Sequence, residues 1–185
     1  MSRQFWNETL AWATADGTAI ANTVTETIIF PNVTIPGNYL QDGRTVRLYV
    51  FGKYSTTGTP TVTFRLRWGG VAGTVIVASG AITGGSTVTN AAFENLILLT
   101  TRSNGSSGTV MANGHAILYG ATAPTVGSAT GAPGIGPMTA GGQTAPAAVT
   151  LDLTADTALS ITATWSAASA SNTLTGHNYI IEAVN

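Results

Sequence analysis

The chain has 185 residues, which suits one domain and allows a sizeable core without a disulfide or metal staple. Charged residues make up 8% and the formal net charge is −1, which argues against long-range steering of nucleic acid or an anionic membrane. There is no cysteine, which excludes disulfides, thiolate catalysis and cysteine-ligated metal.

Hydrophobic residues reach 44%, so the low charge is not a signature of disorder. It leaves an exterior of Thr, Ser, Asn, Ala and Gly that costs little to desolvate and suits lasting contact with neighbouring subunits. A neutral monomer is the plainer alternative. No cationic stretch followed by an apolar core opens the chain, so no signal peptide is expected. No apolar run is long enough to span a bilayer. The sequons at Asn7, Asn32 and Asn104 are therefore expected to carry no glycan.

Residues 1–22 contain Phe5, Trp6, Leu10 and Trp12 ahead of Asp16-Gly17. This is too apolar for a solvated tail and reads as a short helix or an arm. Its aromatics dock either on their own domain or on a neighbouring subunit, where such anchors carry much of the energy.

From there to the C-terminus, period-2 alternation dominates. In Thr61–Trp68 the residues Val62, Phe64, Leu66 and Trp68 share one face, and Thr61, Thr63, Arg65 and Arg67 the other, because successive side chains of a strand point to opposite sides. Strands are expected near 24–30, 44–52, 60–68, 73–79, 94–101, 109–119, 148–154, 157–165 and 177–184. Turn chemistry separates them at Pro36-Gly37-Asn38, Asp42-Gly43, Thr57-Gly58, Gly69-Gly70, Gly84-Gly85 and Asn104-Gly105. Asn113-Gly114 reads as a tight turn or as a bulge inside one long strand. The bulge is preferred, because the two halves would otherwise be very short. The fold class that follows is all-β: an antiparallel β-sandwich of jelly-roll type over residues 23–185, with an N-terminal arm at 1–22.

A long Gly/Ala/Pro-rich loop is expected at 120–147. It carries no charge and either lies flat against another surface or is flexible. Ile135 and Met138 are its candidate contacts.

No G-x-S-x-G elbow, Walker A loop, H-E-x-x-H or calcium loop is present, and no catalytic role, metal or cofactor is expected. The two histidines, His115 and His177, read as structural or exposed, although a cross-strand pairing is open. Asp152 and Asp156 flank a turn and suit local backbone bonding. Five of the seven cations are Arg44, Arg47, Lys53, Arg65 and Arg67. Arg47 shares a face with Tyr49 and Phe51. If the next strand is its neighbour, Arg65 and Arg67 join that face. The mixture suits a protein interface, weakly suits stacking on single-stranded nucleic acid, or is a solvated face that guards sheet edges. The negative balance disfavours nucleic acid.

The stretches Val33–Leu48, Gly52–Thr56 and Thr57–Gly70 resemble β-sandwich structural proteins of tailed bacteriophages. Gly108–His115 and the ending Trp165–Thr175 are similar to the same group. The resemblance covers most of residues 24–184 and implies a virion part made in the host cytoplasm: a capsid decoration (cement) protein, a head fibre, or a tail or receptor-binding component. The leading expectation is a cement protein, a homo-oligomer and most simply a trimer, whose partner is the major capsid protein. Its interface candidates are Phe5, Trp6, Trp12, Arg47, Tyr49, Arg65, Arg67, Ile135 and Met138. The alternative is a tail or fibre module with other tail proteins or a host surface glycan as partner, stacking sugars on Trp12, Tyr39 or Tyr54. No membrane or nucleic-acid partner is expected.

Overall fold

A computed structural model describes residues 7–120, 125–126, 134–141 and 145–185. Phe5 and Trp6 lie outside these residues, as do most of 120–133. In chain order the strands are β1 (Glu8–Trp12), β2 (Ile20–Ala21), β3 (Thr27–Ile28), β4 (Val33–Ile35) and β5 (Thr45–Ser55). Then come β6 (Thr61–Trp68), β7 (Thr74–Ala78), β8 (Ile82–Thr83), β9 (Ala91–Ser103) and β10 (Gly108–Leu118). The last are β11 (Thr125–Val126), β12 (Gly134–Ala140), β13 (Val149–Leu151), β14 (Thr157–Trp165) and β15 (Thr173–Ala183).

The strands form one folded-over sheet in the order β1-β15-β5-β9-β10-β12-β7-β6-β14-β3. The pairs are antiparallel except β11 with β12. Two layers result, β1-β15-β5-β9-β10 and β7-β6-β14, joined at a corner where β12 meets β7 only through Thr139–Ala78 and Ala140–Val77. The layers face each other across an apolar interior. Phe64 of β6 stacks on Phe93 of β9 at 5.4 Å between ring centroids. Leu48, Val50 and Ile181 of one layer converge with Leu66, Leu159 and Ile161 of the other. The fold is thus the expected all-β antiparallel sandwich.

The alternation in Thr61–Trp68 appears as strict alternation of burial, with Val62, Phe64, Leu66 and Trp68 inside. Trp68 directs its Nε1–H to the carbonyl of Asp152, at 2.9 Å, so a buried aromatic keeps a polar partner. The β6–β7 connection turns on Gly69 and Gly70, at φ 97° and 83°, a region that L side chains rarely enter.

Four expectations are corrected. The described part of the N-terminal segment is neither a short helix nor a separate arm but a strand docked on its own domain, the first of the two dockings expected. β1 pairs with β15 from Glu8–Ala183 to Trp12–Ile180, and Ile20 is buried beside β15. An uncovered β15 would present a row of unpaired backbone groups, which β1 satisfies. In the expected strand 24–30 only Thr27–Ile28 is a strand, paired with β14, and the Ile29 amide adds a bond to the Ile161 carbonyl. Asn113-Gly114 is neither turn nor bulge, because β10 runs through it in unbroken register with β9. A Cβ on Gly114 would collide with the Leu96 carbonyl and the Ile97 Cα, so the glycine serves close backbone approach. Finally, 134–140 of the expected loop is a strand between β10 and β7, with Met138 in the core.

Candidate functional site

The pairing register decides which side chains meet on the outer face of the larger layer. Trp12 pairs with Ile180, Ile180 with Tyr49, Tyr49 with Leu96, Leu96 with His115, and His115 with Pro137. Residues paired across strands point to the same side. These residues therefore form one row running across the strands, and Trp12 to Leu96 is an apolar stretch of it. On one flank lie Glu182, Arg47, Leu98 and Asn113, and on the other Asn178, Phe51, Glu94 and Ile117.

The face is unusually bare for its apolar content. Trp12 is 59% exposed, Leu98 41% and Phe51 39%. Tyr119, just past the end of β10, is 37% exposed. A shallow groove of about 380 Å³ lies between Tyr49 and His115, lined by Arg47, Leu96, Leu98 and Asn113 with the Gly114 backbone.

Its polar groups are held in place by one another. Arg47 donates through Nη2 at 2.6 Å and Nε at 3.2 Å to the same carboxylate oxygen of Glu182. Its guanidinium carbon lies 5.3 Å from the Tyr49 ring centroid, within cation–π range. Tyr49 in turn lies parallel to Phe51, with centroids 6.2 Å apart. Hydrogen bonding to Glu182, supported by its charge, pushes the Arg47 pKa above its usual value. His115 Nε2 stands 4.0 Å from Glu94 Oε1. Burial, then the neighbouring Glu94, raises the Tyr119 phenol.

The sequence-predicted residues divide between the two layers. Arg47 and Tyr49 sit on this face, with Trp12 at its edge and Ile135 beyond Ile117 on β12. Arg65 and Arg67 do not join them, because β6 lies between β7 and β14 and β5 between β15 and β9. The two arginines instead bind Glu26 on the opposite layer. Tyr54 is fully buried, its hydroxyl donating to the Tyr119 carbonyl at 2.6 Å, so it cannot stack on a sugar. Tyr39 is half-buried and donates to Glu8 Oε2 at 2.7 Å, with Arg44 over its ring. Burial and that bond push its pKa up to about 12. The histidines do not pair, since β5 and β9 lie between their strands. His177 Nδ1 instead meets Asp16 at 2.9 Å. Asp152 accepts from the Thr154 backbone and hydroxyl, while Asp156 accepts from the Gly37 amide across the chain. Among the described residues, no group of three or more His, Asp or Glu could hold a metal ion.

Leu96, Leu98, Asn113 and Ile180 were not singled out by sequence reasoning. Leu96 and Leu98 sit in the unbroken apolar run Leu96–Leu99, and Ile180 stands beside Ile181, so alternation gives no sign of which side they face, and only the pairing order puts them on one surface.

One solved structure is similar in outline. It is the CBM2 module of the evolved Dit of Lactobacillus casei BL23 phage J-1, at 11% identity and a TM-score of 0.39 over 99% of both chains. At that level nothing about ligand or partner passes to this chain. No protein-family model matches the sequence, and no curated protein matches it.

Proposed function

We propose that the chain is a non-catalytic component of a tailed-phage virion, acting as a tail or fibre module that engages a host surface glycan through the outer face of the larger layer. The observation that carries this reading is the gathering of exposed Trp12, Phe51 and Leu98 beside the polar groups Arg47, Asn113 and Glu94 on one surface. Isolated exposed apolar residues are ordinary, whereas a contiguous set rimmed by polar groups marks a binding surface. The resemblance to phage β-sandwich proteins supplies the virion context.

Blocking of adsorption tests it. Purified protein added to host cells before phage challenge is expected to reduce adsorption, and protein with Trp12→Ala to do so less. No effect at saturating protein would overturn the reading.

A second reading, the trimeric cement protein bound to the major capsid protein, draws on the same apolar face and sparse charge, which also suit subunit contact. Purified virions separate the two. Many copies on the shell support the cement reading, and a few copies at the tail support the first.

A further inference from the structure

The occupant of this face can be named more closely, on the glycan-binding reading above. We propose that it binds an uncharged, extended polysaccharide that crosses the strands along the Trp12–Ile180–Tyr49–Leu96 row, with Trp12 stacking on one sugar ring and Tyr49, whose faces meet Arg47 and Phe51, presenting its edge to another.

The first ground is charge. Arg47 is neutralised by Glu182 at 2.6 Å, and the remaining carboxylate beside the row, Glu94, faces His115. Lys53 stands beyond Phe51, at the end of the face. The row itself carries no charge from Trp12 to Leu96, so an anionic polymer finds no unmatched cation along it.

The second ground is shape. A pyranose ring has apolar C–H faces and a polar rim. The row offers apolar surface, with hydrogen-bonding groups on both sides: Glu182, Arg47 and Asn113 on one, Asn178 and Glu94 on the other. Arg47 and Glu182 are already ordered, so little side-chain freedom is lost when a hydroxyl binds.

The third ground is spacing. Trp12 and Tyr49 are two strands apart, with Ile180 between them. At about 4.8 Å per strand this separates them by roughly 10 Å, comparable to two rings of an extended chain. Each strand step also turns the surface by about 20–25°. The track is therefore twisted, and suits a soluble chain that rotates about its linkages better than a flat crystalline ribbon.

The experiment is titration calorimetry of the full chain with neutral linear hexose and N-acetylhexosamine oligomers of increasing length. Polygalacturonate and a sulfated polysaccharide serve as charged probes, at low and high salt. Affinity is expected to rise with oligomer length, to be insensitive to salt, and to fall about tenfold or more in Trp12→Ala and in Tyr49→Ala. Trp12→Phe should retain most of it, and Val71→Ala, at an exposed site in the β6–β7 turn, all of it. Thermal unfolding of each variant separates lost binding from lost fold. Preference for the charged probes with steep salt dependence would overturn the proposal, as would unchanged binding by folded Trp12→Ala. Protein that blocks adsorption but binds no neutral oligomer defeats this inference and leaves the receptor-binding reading standing. Protein that does neither defeats both.

Discussion

Arg67 clasps Glu26 with a two-pronged bond, Nε to one carboxylate oxygen at 2.6 Å and Nη2 to the other at 2.7 Å. Arg65 adds a third bond at 3.2 Å, and the Thr162 hydroxyl donates to the same carboxylate. The segment leading into β3 is thereby pinned to the outer face of β6 and β14. Fork-shaped guanidinium–carboxylate pairs are among the stronger charge-assisted bonds.

This clasp should make stability acid-sensitive. Burial pushes the Glu26 carboxyl up, but bonds from Arg67 and Thr162 and the charges of both arginines outweigh it, and the net pKa lies below the ordinary 4.5. A carboxyl whose pKa is lower folded than unfolded adds stability above its unfolded value, and that stability is lost as pH falls through the folded value. Thermal unfolding of the wild type should therefore weaken below about 4.5. Glu26→Gln should cost about 1–3 kcal/mol at neutral pH and show a shallower acid decline. Parallel pH profiles for both proteins would contradict the assignment.

That Arg65 and Arg67 serve this clasp shows where sequence reading stops. The inward residues of β6 were legible because a half-buried strand must alternate, and one wrong step would expose the whole apolar set. The order of strands leaves no such trace. β5 and β6 are consecutive, and consecutive strands often pair; only if these two did so would Arg47 share a face with Arg65. Their placement in opposite layers depends on long-range partners, β15 and β9 for one and β14 and β7 for the other. The strand β12 was hidden for a different reason. Gly134, Gly136 and Pro137 ordinarily argue against a strand, yet Gly136 is small because a Cβ there would strike Ile82. The binding face was half legible, its Arg47-Tyr49-Phe51 ladder visible from spacing and its Leu96, Asn113 and Ile180 dependent on register.

Trp165 offers a test of the inner face. It is fully buried, pairs with Val62 on β6, and its Nε1–H has no partner. Trp165→Ala should destabilise the fold by about 3–5 kcal/mol through lost burial and the cavity left behind. Trp165→Phe should cost much less, because it keeps an aromatic ring and removes an unpaired donor. Urea denaturation of both variants distinguishes the two contributions. Equal losses would mean that the indole nitrogen is needed.

Gly114 tests the close approach of β9 and β10. A methyl group there meets backbone, which cannot rotate away as a side chain can. Gly114→Ala should therefore destabilise the protein by about 1–3 kcal/mol and disturb the groove between Tyr49 and His115. Gly43→Ala is the comparison, since nothing lies within 4 Å of its Cβ position and its φ of 82° is the sole objection. Melting temperatures should rank wild type first and Gly114→Ala lowest.

Asn95 presents the opposite case, a polar residue the core gains by losing. It lies on the inner face of β9 between Val50 of β5 and Ala116 of β10, and neither its amide nitrogen nor its carbonyl oxygen has a hydrogen-bond partner. An unpaired buried polar group costs about 1–3 kcal/mol in desolvation. Leucine keeps the same branched outline and carries no such cost, so Asn95→Leu should raise the urea midpoint with little change in slope. Asn95→Ala should gain less, because the cavity it opens offsets the relief. A lower midpoint for Asn95→Leu would show that the amide is satisfied in the folded protein, and that its place in the interior is held by a bond and not merely tolerated.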